Sequence, residues 1–102
     1  MATSTIMNPN STAVIQNLKS ITRVTDSATT GATGNIVLPY ENDGLTFIVG
    51  AHASGQDVAF RTWVASSNGN WFLTMINPNT GETINNTGVN YRYFVVKLYR
   101  ST

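Results

Sequence analysis

The sequence has no cysteine, one histidine and few charged side chains. Without cysteine, the 102-residue chain has no disulfide framework and no thiolate that could act as a nucleophile or a metal ligand. Charged residues make up 11% of the chain, against roughly 25% in an ordinary soluble protein. The net charge is +1 and the cationic residues are scattered, so the electrostatic footprint of a nucleic-acid partner is missing. Thr, Asn and Ser supply the polarity, which predicts a hydrogen-bonding surface.

Long apolar runs are missing as well. None approaches the roughly 18 residues of a membrane span, and residues 1–10 have neither the basic start nor the apolar core of a signal peptide. We therefore expect no membrane insertion. Residues 1–20 are predicted to form a partly flexible N-terminal arm, followed by one domain over residues 21–102. Within the arm, Val14, Ile15 and Leu18 would suit a short helical turn, and a short strand is the alternative.

Strand-like segments separated by turn residues fill the rest of the chain. Pro39 is expected to stop the second segment, and Asn68 with Gly69 suits a type I′ hairpin turn. The pattern predicts an all-β chain, an antiparallel six-stranded β-sandwich or jelly-roll. The predicted strands are residues 21–26, 35–38, 45–54, 58–66, 71–76 and 89–100.

The last strand is apolar on both faces. Phe94, Val96 and Leu98 alternate with a second set that is rich in tyrosine. We assign the first set to the sandwich core and the second to a subunit interface, because an exposed tyrosine face would be a large apolar patch on so small a monomer. A homo-oligomer is expected, with a trimer favoured, and a core wrapped by the N-terminal arm is the alternative. The predicted interface residues are Tyr91, Tyr93, Val95 and Tyr99.

No grouping of residues suggests catalysis. His52 is the only histidine, and the five carboxylates are dispersed over loops and strand ends, so neither an acid–base pair nor a metal-ligand cluster is evident. Nucleophile motifs of the Gly-x-Ser-x-Gly type and phosphate-binding glycine loops are absent. The sequence predicts a protein that is not an enzyme and that uses no cofactor or metal.

A polar-ligand site is the remaining chemical possibility. The ring of Trp63 could stack on a sugar while Arg61, His52 and asparagine side chains hydrogen-bond its hydroxyl groups. In the competing interpretation His52 is structural and both Trp63 and Trp71 belong to the core. The predicted ligand-binding residues are His52, Arg61, Trp63, Asn77 and Asn79.

Three features of residues 45–100 carry a resemblance to a known family. They are the hairpin of residues 58–72 with its aromatic restart, the polar crossing of residues 77–82, and the aromatic, β-branched closing strand of residues 89–99. This span resembles the C-terminal knob domains of phage tail fibres and related virion receptor-binding proteins, and more distantly H-type lectins.

The resemblance implies a six-stranded sandwich, usually a trimer, on a virion or outside the cell, that binds cell-surface glycans. H-type lectins place a Trp-His pair where this chain has Ile76, Asn77 and Pro78, so their galactosamine-type specificity does not carry over. The alternative function is a purely structural virion component, such as a decoration, fibre-joint or capping protein, that self-associates without binding a glycan.

Overall fold

Six antiparallel strands form the domain. The structure is a computed structural model that describes residues 17–65 and 69–100. The strands make two three-stranded sheets, with the orders β1-β6-β3 and β2-β5-β4. The prediction of an all-β, six-stranded antiparallel sandwich is confirmed. The strands are β1 (Leu18–Thr29), β2 (Asn35–Glu41), β3 (Thr46–Ala53), β4 (Ala59–Val64), β5 (Asn70–Ile76) and β6 (Gly88–Leu98).

The strand boundaries differ from the predicted ones mainly in the first half of the chain. Because β1 begins at Leu18 and pairs there with Leu98, the last residues assigned to the arm belong to the sheet. The remainder of the arm, with most of its predicted helical turn, lies outside the described residues, as does Asn68 of the predicted type I′ turn.

The sequence predicted that Pro39 would end the second strand. This prediction is wrong, because β2 continues to Glu41. The reason is the position of β2 at the edge of its sheet, where one side of the strand has no partner and a residue without an N–H is tolerated. The register against β5 is irregular between Val37 and Glu41, and the amide of Asn70 donates to the carbonyl of Leu38 at 2.9 Å within this stretch. Edge position, a tertiary property, overrides the local stop signal.

The core lies between the two sheets, and the tyrosines of β6 fill much of it. Tyr93 meets Tyr40 of the opposite sheet edge to face at 6.2 Å between ring centroids. Tyr91 lies 6.2 Å from Phe60 and stacks against Tyr93 at 5.9 Å. These rings bridge the sheets. The buried apolar residues are Ile36, Leu38, Ile48, Leu73, Met75, Val89, Tyr91, Tyr93 and Val95.

The predicted assignment of the two faces of the last strand is therefore wrong. Tyr91, Tyr93 and Val95 are buried in the monomer core, whereas Phe94 lies on the outer face. Val96 and Leu98 alternate with the buried set and share the side of Phe94. Tyr99 follows the end of β6 and is exposed. Alternation separates two sets of residues without saying which one faces inward, and here the larger tyrosine rings reach across to Tyr40 and Phe60.

A bulge in β3 also changes which residues of a strand face the core. Gly50 has a φ of 70°, and the register against β6 shifts between Val49 and His52. Before the bulge Ile48 is buried and Val49 exposed, while after it Ala51 packs against the core. The extra residue interrupts the simple alternation expected from the sequence and turns His52 outward.

The crossing from β5 to β6 is fixed by one buried threonine. The hydroxyl of Thr30 donates to the carbonyl of Ile84 at 2.8 Å and accepts from the backbone N–H of Thr87 at 3.0 Å. The backbone N–H of Thr30 donates to the carbonyl of Thr87 at 2.9 Å. Thr30 thus fastens the crossing to the end of β1.

Candidate functional site

The outer face of the β2-β5-β4 sheet carries an aromatic row beside a polar row. Trp63 of β4 pairs with Phe72 of β5, which pairs with Val37 of β2. The next row consists of Arg61, Thr74 and Asn35. Directly paired residues share one face of a sheet, so these six side chains lie together. We call this set of six residues the Trp63 face.

Trp63 is held in one orientation. Its indole stacks on the ring of Phe72, with centroids 4.5 Å apart and planes 10° from parallel. The indole Nε1–H donates to the hydroxyl of Thr74 at 2.8 Å, and that hydroxyl donates to Oδ1 of Asn35 at 2.7 Å. The side chain is nevertheless 39% exposed. Phe72 covers one ring face, so the exposed area of Trp63 belongs to the rest of its side chain.

Hydrogen-bonding groups lie next to this ring. Arg61 is exposed and occupies the row beside Trp63. Asn35 uses its Oδ1 to accept from Thr74, which leaves its Nδ2 amino group as the donor it can offer a ligand. A flat apolar ring with fixed donors nearby can hold a polar molecule that has one apolar face. The sequence had singled out Arg61 and Trp63, and the structure brings them together.

His52 is not part of the Trp63 face. It lies on β3 in the other sheet, where it pairs with Arg92 of β6. The next pair, Ala53 with Tyr91, faces the core, so His52 and Arg92 point away from it. The predicted grouping of His52 with Arg61 and Trp63 is wrong. His52 lies on the outer surface of one sheet, and Arg61 and Trp63 lie on the outer surface of the other.

Asn77 and Asn79 lie in the turn that follows β5. Oδ1 of Asn77 accepts from the backbone N–H of Asn79 at 2.8 Å, and the Asn77 carbonyl accepts from Gly81 at 2.7 Å. The side-chain oxygen of Asn77 therefore holds the turn. The pair of Ile76 with Ala59 separates this turn from the row of Arg61. The structure places both asparagines at the end of the sheet, outside the Trp63 face.

The sequence interpretation missed Phe72, Thr74, Asn35 and Val37. Their alternation along β5 and β2 was the available signal, but their positions opposite Trp63 and Arg61 depend on strand pairing.

No family model, curated protein or solved structure matches this chain.

The three clearly shifted pKa values in the described part belong to structural groups. Burial raises the pKa of Tyr91, and the nearby carboxylate of Asp26 adds to the effect. Burial also raises the pKa of Tyr93, with a further contribution from Tyr40. The backbone N–H of Leu45 donates to Asp43 at 2.8 Å and lowers the pKa of that carboxyl group. None of these groups belongs to the Trp63 face.

Neither a metal-ligand cluster nor a membrane-spanning helix occurs in the described part of the chain. Within residues 17–65 and 69–100 there is no group of three or more His, Cys, Asp or Glu side chains placed to hold a metal ion. The same part of the chain contains no helix with the length and apolarity needed to cross a membrane.

Proposed function

We propose that this chain is a non-catalytic binding domain that recognises carbohydrate, and that the Trp63 face holds the sugar. The observation that carries the proposal is an indole that is locked by Phe72 and Thr74 and still 39% exposed. A core tryptophan would be covered, and a mobile surface tryptophan would lose side-chain entropy on binding. A preorganised ring avoids that cost.

The neighbouring groups suit a sugar. The C–H side of a pyranose ring would stack on the exposed part of the indole, while the guanidinium of Arg61 and the amide of Asn35 would donate to its hydroxyl groups. Recognition of this kind needs no titratable catalyst. The resemblance to phage tail-fibre knobs extends the proposal to attachment of a virion to a host cell-surface glycan.

Binding to a broad glycan array, followed by titration of any sugar found, tests the proposal. Trp63→Ala should weaken binding at least about tenfold, because it removes the stacking surface. Phe47→Ala is a matched control, since Phe47 is also 39% exposed but lies on β3 in the other sheet. A chain that binds no glycan above background, or a Trp63→Ala variant that binds like the parent, would refute the proposal.

The outer face of the β1-β6-β3 sheet favours the alternative function, a self-associating structural component of a virion. Large apolar side chains are exposed there across all three strands, among them Ile21, Phe47, Val49 and Phe94. In this alternative a second copy of the chain covers them, and the interface lies opposite the predicted tyrosine face.

Sedimentation analysis at micromolar concentration tests the alternative. The parent chain should self-associate, and Val49→Lys should give a monomer by placing a charge in the contact. Val37→Lys is the control, because Val37 is exposed on the other sheet. A parent chain that is already monomeric would contradict self-association.

A further inference from the structure

The outer face of β1-β6-β3 changes character along its strands. At one end Val96 lies between apolar neighbours, and the following row places Phe94 between Arg23 and Val49. Next comes a row with Arg92 between Thr25 and His52. In the last row Asn90 pairs with Ser27, and its backbone carbonyl accepts from the backbone N–H of Ser54 at 2.8 Å. The face therefore passes from apolar to basic to polar.

An open groove of about 470 Å³ lies at the polar end. Its floor is made by the paired ends of β1 and β6, and Gln56 from the connection after β3 forms part of its wall. The amide of Gln56 donates to the carbonyl of Gly88 at 3.4 Å. Hydroxyl and amide side chains dominate the lining, which consists of Ser27, Ala28, Thr29, Gln56, Gly88, Val89 and Asn90.

The row next to the groove contains Arg92 and His52, whose side chains can bind a polar ligand. Nδ1 of His52 lies 2.9 Å from the carbonyl oxygen of Gly50. Because a carbonyl only accepts, Nδ1 carries the hydrogen of this contact, and Nε2 is left for a ligand. Arg92 beside it offers a fork of donors that matches a carboxylate.

Charge on this face favours an anion. Arg23 and Arg92 lie on it in adjacent rows. Among the described strand residues, the register places no carboxylate there, since Asp26 pairs with Tyr91 in the inward-facing row. Two guanidinium groups on this face would attract an anionic ligand, while the exposed carboxylates of Asp26 and Asp57, next in sequence to Ser27 and Gln56 of the groove, would oppose that attraction in part.

We propose that the groove and the row of Arg92 and His52 form a binding site for a carboxylated saccharide. The hydroxyl groups of the sugar contact Ser27, Gln56 and Asn90, and its carboxylate binds Arg92. Successive rows are about 6.6 Å apart along the strands, so one sugar unit can reach from the groove to Arg92. The site is on the sheet opposite Trp63, and the inference does not depend on the proposed function of that residue.

The experiment is an NMR titration of the ¹⁵N-labelled full chain with tetragalacturonate and with its methyl-esterified counterpart. The acid should shift the backbone amides of residues 27–29 and 88–92 and leave the indole of Trp63 unchanged. The ester, in which a neutral methyl ester replaces each carboxylate, should bind about tenfold to a hundredfold more weakly because a charge-assisted hydrogen bond is lost. Arg92→Gln should weaken binding of the acid by a similar factor, whereas Arg100→Gln, at an exposed position beyond the end of β6, should not.

Four results would overturn the inference. One is the absence of shifts around the groove at about 10 mM acid, a concentration that would reveal even weak binding. Equal affinity for acid and ester is the second, and unchanged affinity in Arg92→Gln is the third. The fourth is an equal response of the same amides to inorganic phosphate, which would mark a general anion site. Shifts confined to Trp63 fall under the first result, and they would support the carbohydrate proposal while refuting this one.

Discussion

The reversed faces of β6 lead to a direct test with two neighbouring residues. Tyr93 is 2% exposed and Phe94 is 36% exposed. A buried tyrosine removes about 150–250 Å² from water, which at about 25 cal/mol per Å² corresponds to about 4–6 kcal/mol. Core substitutions of aromatic residues by alanine cost about 3–5 kcal/mol. We expect Tyr93→Ala to lower the free energy of unfolding by that amount.

Phe94→Ala should cost much less. Its ring lies against Gly50 on the outer surface, where a Cβ on that glycine would come within 3.2 Å of the phenylalanine Cδ2. Removing this ring leaves a space that solvent fills, and without a closed cavity the expected loss is about 1–2 kcal/mol. The two substitutions delete comparable side chains one position apart, so strand propensity and position are closely matched.

Urea unfolding followed by circular dichroism measures both losses. A domain of this size has a stability of about 5–15 kcal/mol, so Tyr93→Ala could leave too little folded protein to analyse. Tyr93→Leu then serves as a milder substitution that still removes the contact with Tyr40. If Phe94→Ala lowers the free energy of unfolding as much as the Tyr93 variants or more, then the register of β6 is shifted by one residue. In that case Phe94 faces the core and the described core is wrong.

Two other perturbations test the core and its fastening. Burial raises the pKa of Tyr91 and Tyr93, so the folded chain holds these protons more tightly than the unfolded chain. The contribution of these two tyrosines to the free energy of unfolding should be constant below about pH 10 and fall above it, and Tyr91→Phe should reduce the fall; urea midpoints that do not change between about pH 9 and pH 11 would contradict this. Thr30→Val should lower the free energy of unfolding by about 1–3 kcal/mol, because the carbonyl of Ile84 and the N–H of Thr87 lose their partner. Thr33→Val at an exposed position is the control, and equal losses in the two variants would show that the buried hydroxyl does not fasten the crossing.

Strand existence could be predicted from local signals, whereas the packing of the strands could not. Turn residues and alternation located all six strands. The effect of Pro39 could not be predicted from the local sequence, because it depends on β2 being an edge strand. The faces of β6 were reversed because both of its residue sets are apolar, and Gly50 interrupted the alternation of β3.

For the candidate site, too, local signals predicted part of the arrangement, and strand pairing decided the rest. Arg61 and Trp63 share a face because residues two apart on a regular strand do, and the register of β4 against β5 has no bulge. A two-residue turn at Asn68 and Gly69 would pair Trp63 with Thr74, but the observed register pairs it with Phe72. The two registers differ by an even number of residues, so β5 turns the same side chains toward the face of Trp63 in both, but the residue directly opposite Trp63 differs. His52 was misplaced because sheet membership is decided by long-range pairing.

Pro39 has a consequence for how copies of this chain can meet. An exposed strand edge invites another chain to continue the sheet, and long flat edges are a common origin of aggregation. Proline offers no N–H to an incoming strand, and the irregular register of β2 beyond Val37 disturbs the row of groups that such a strand would need. The β2 edge is thereby a poor template for open-ended growth of a sheet from one copy of the chain to the next.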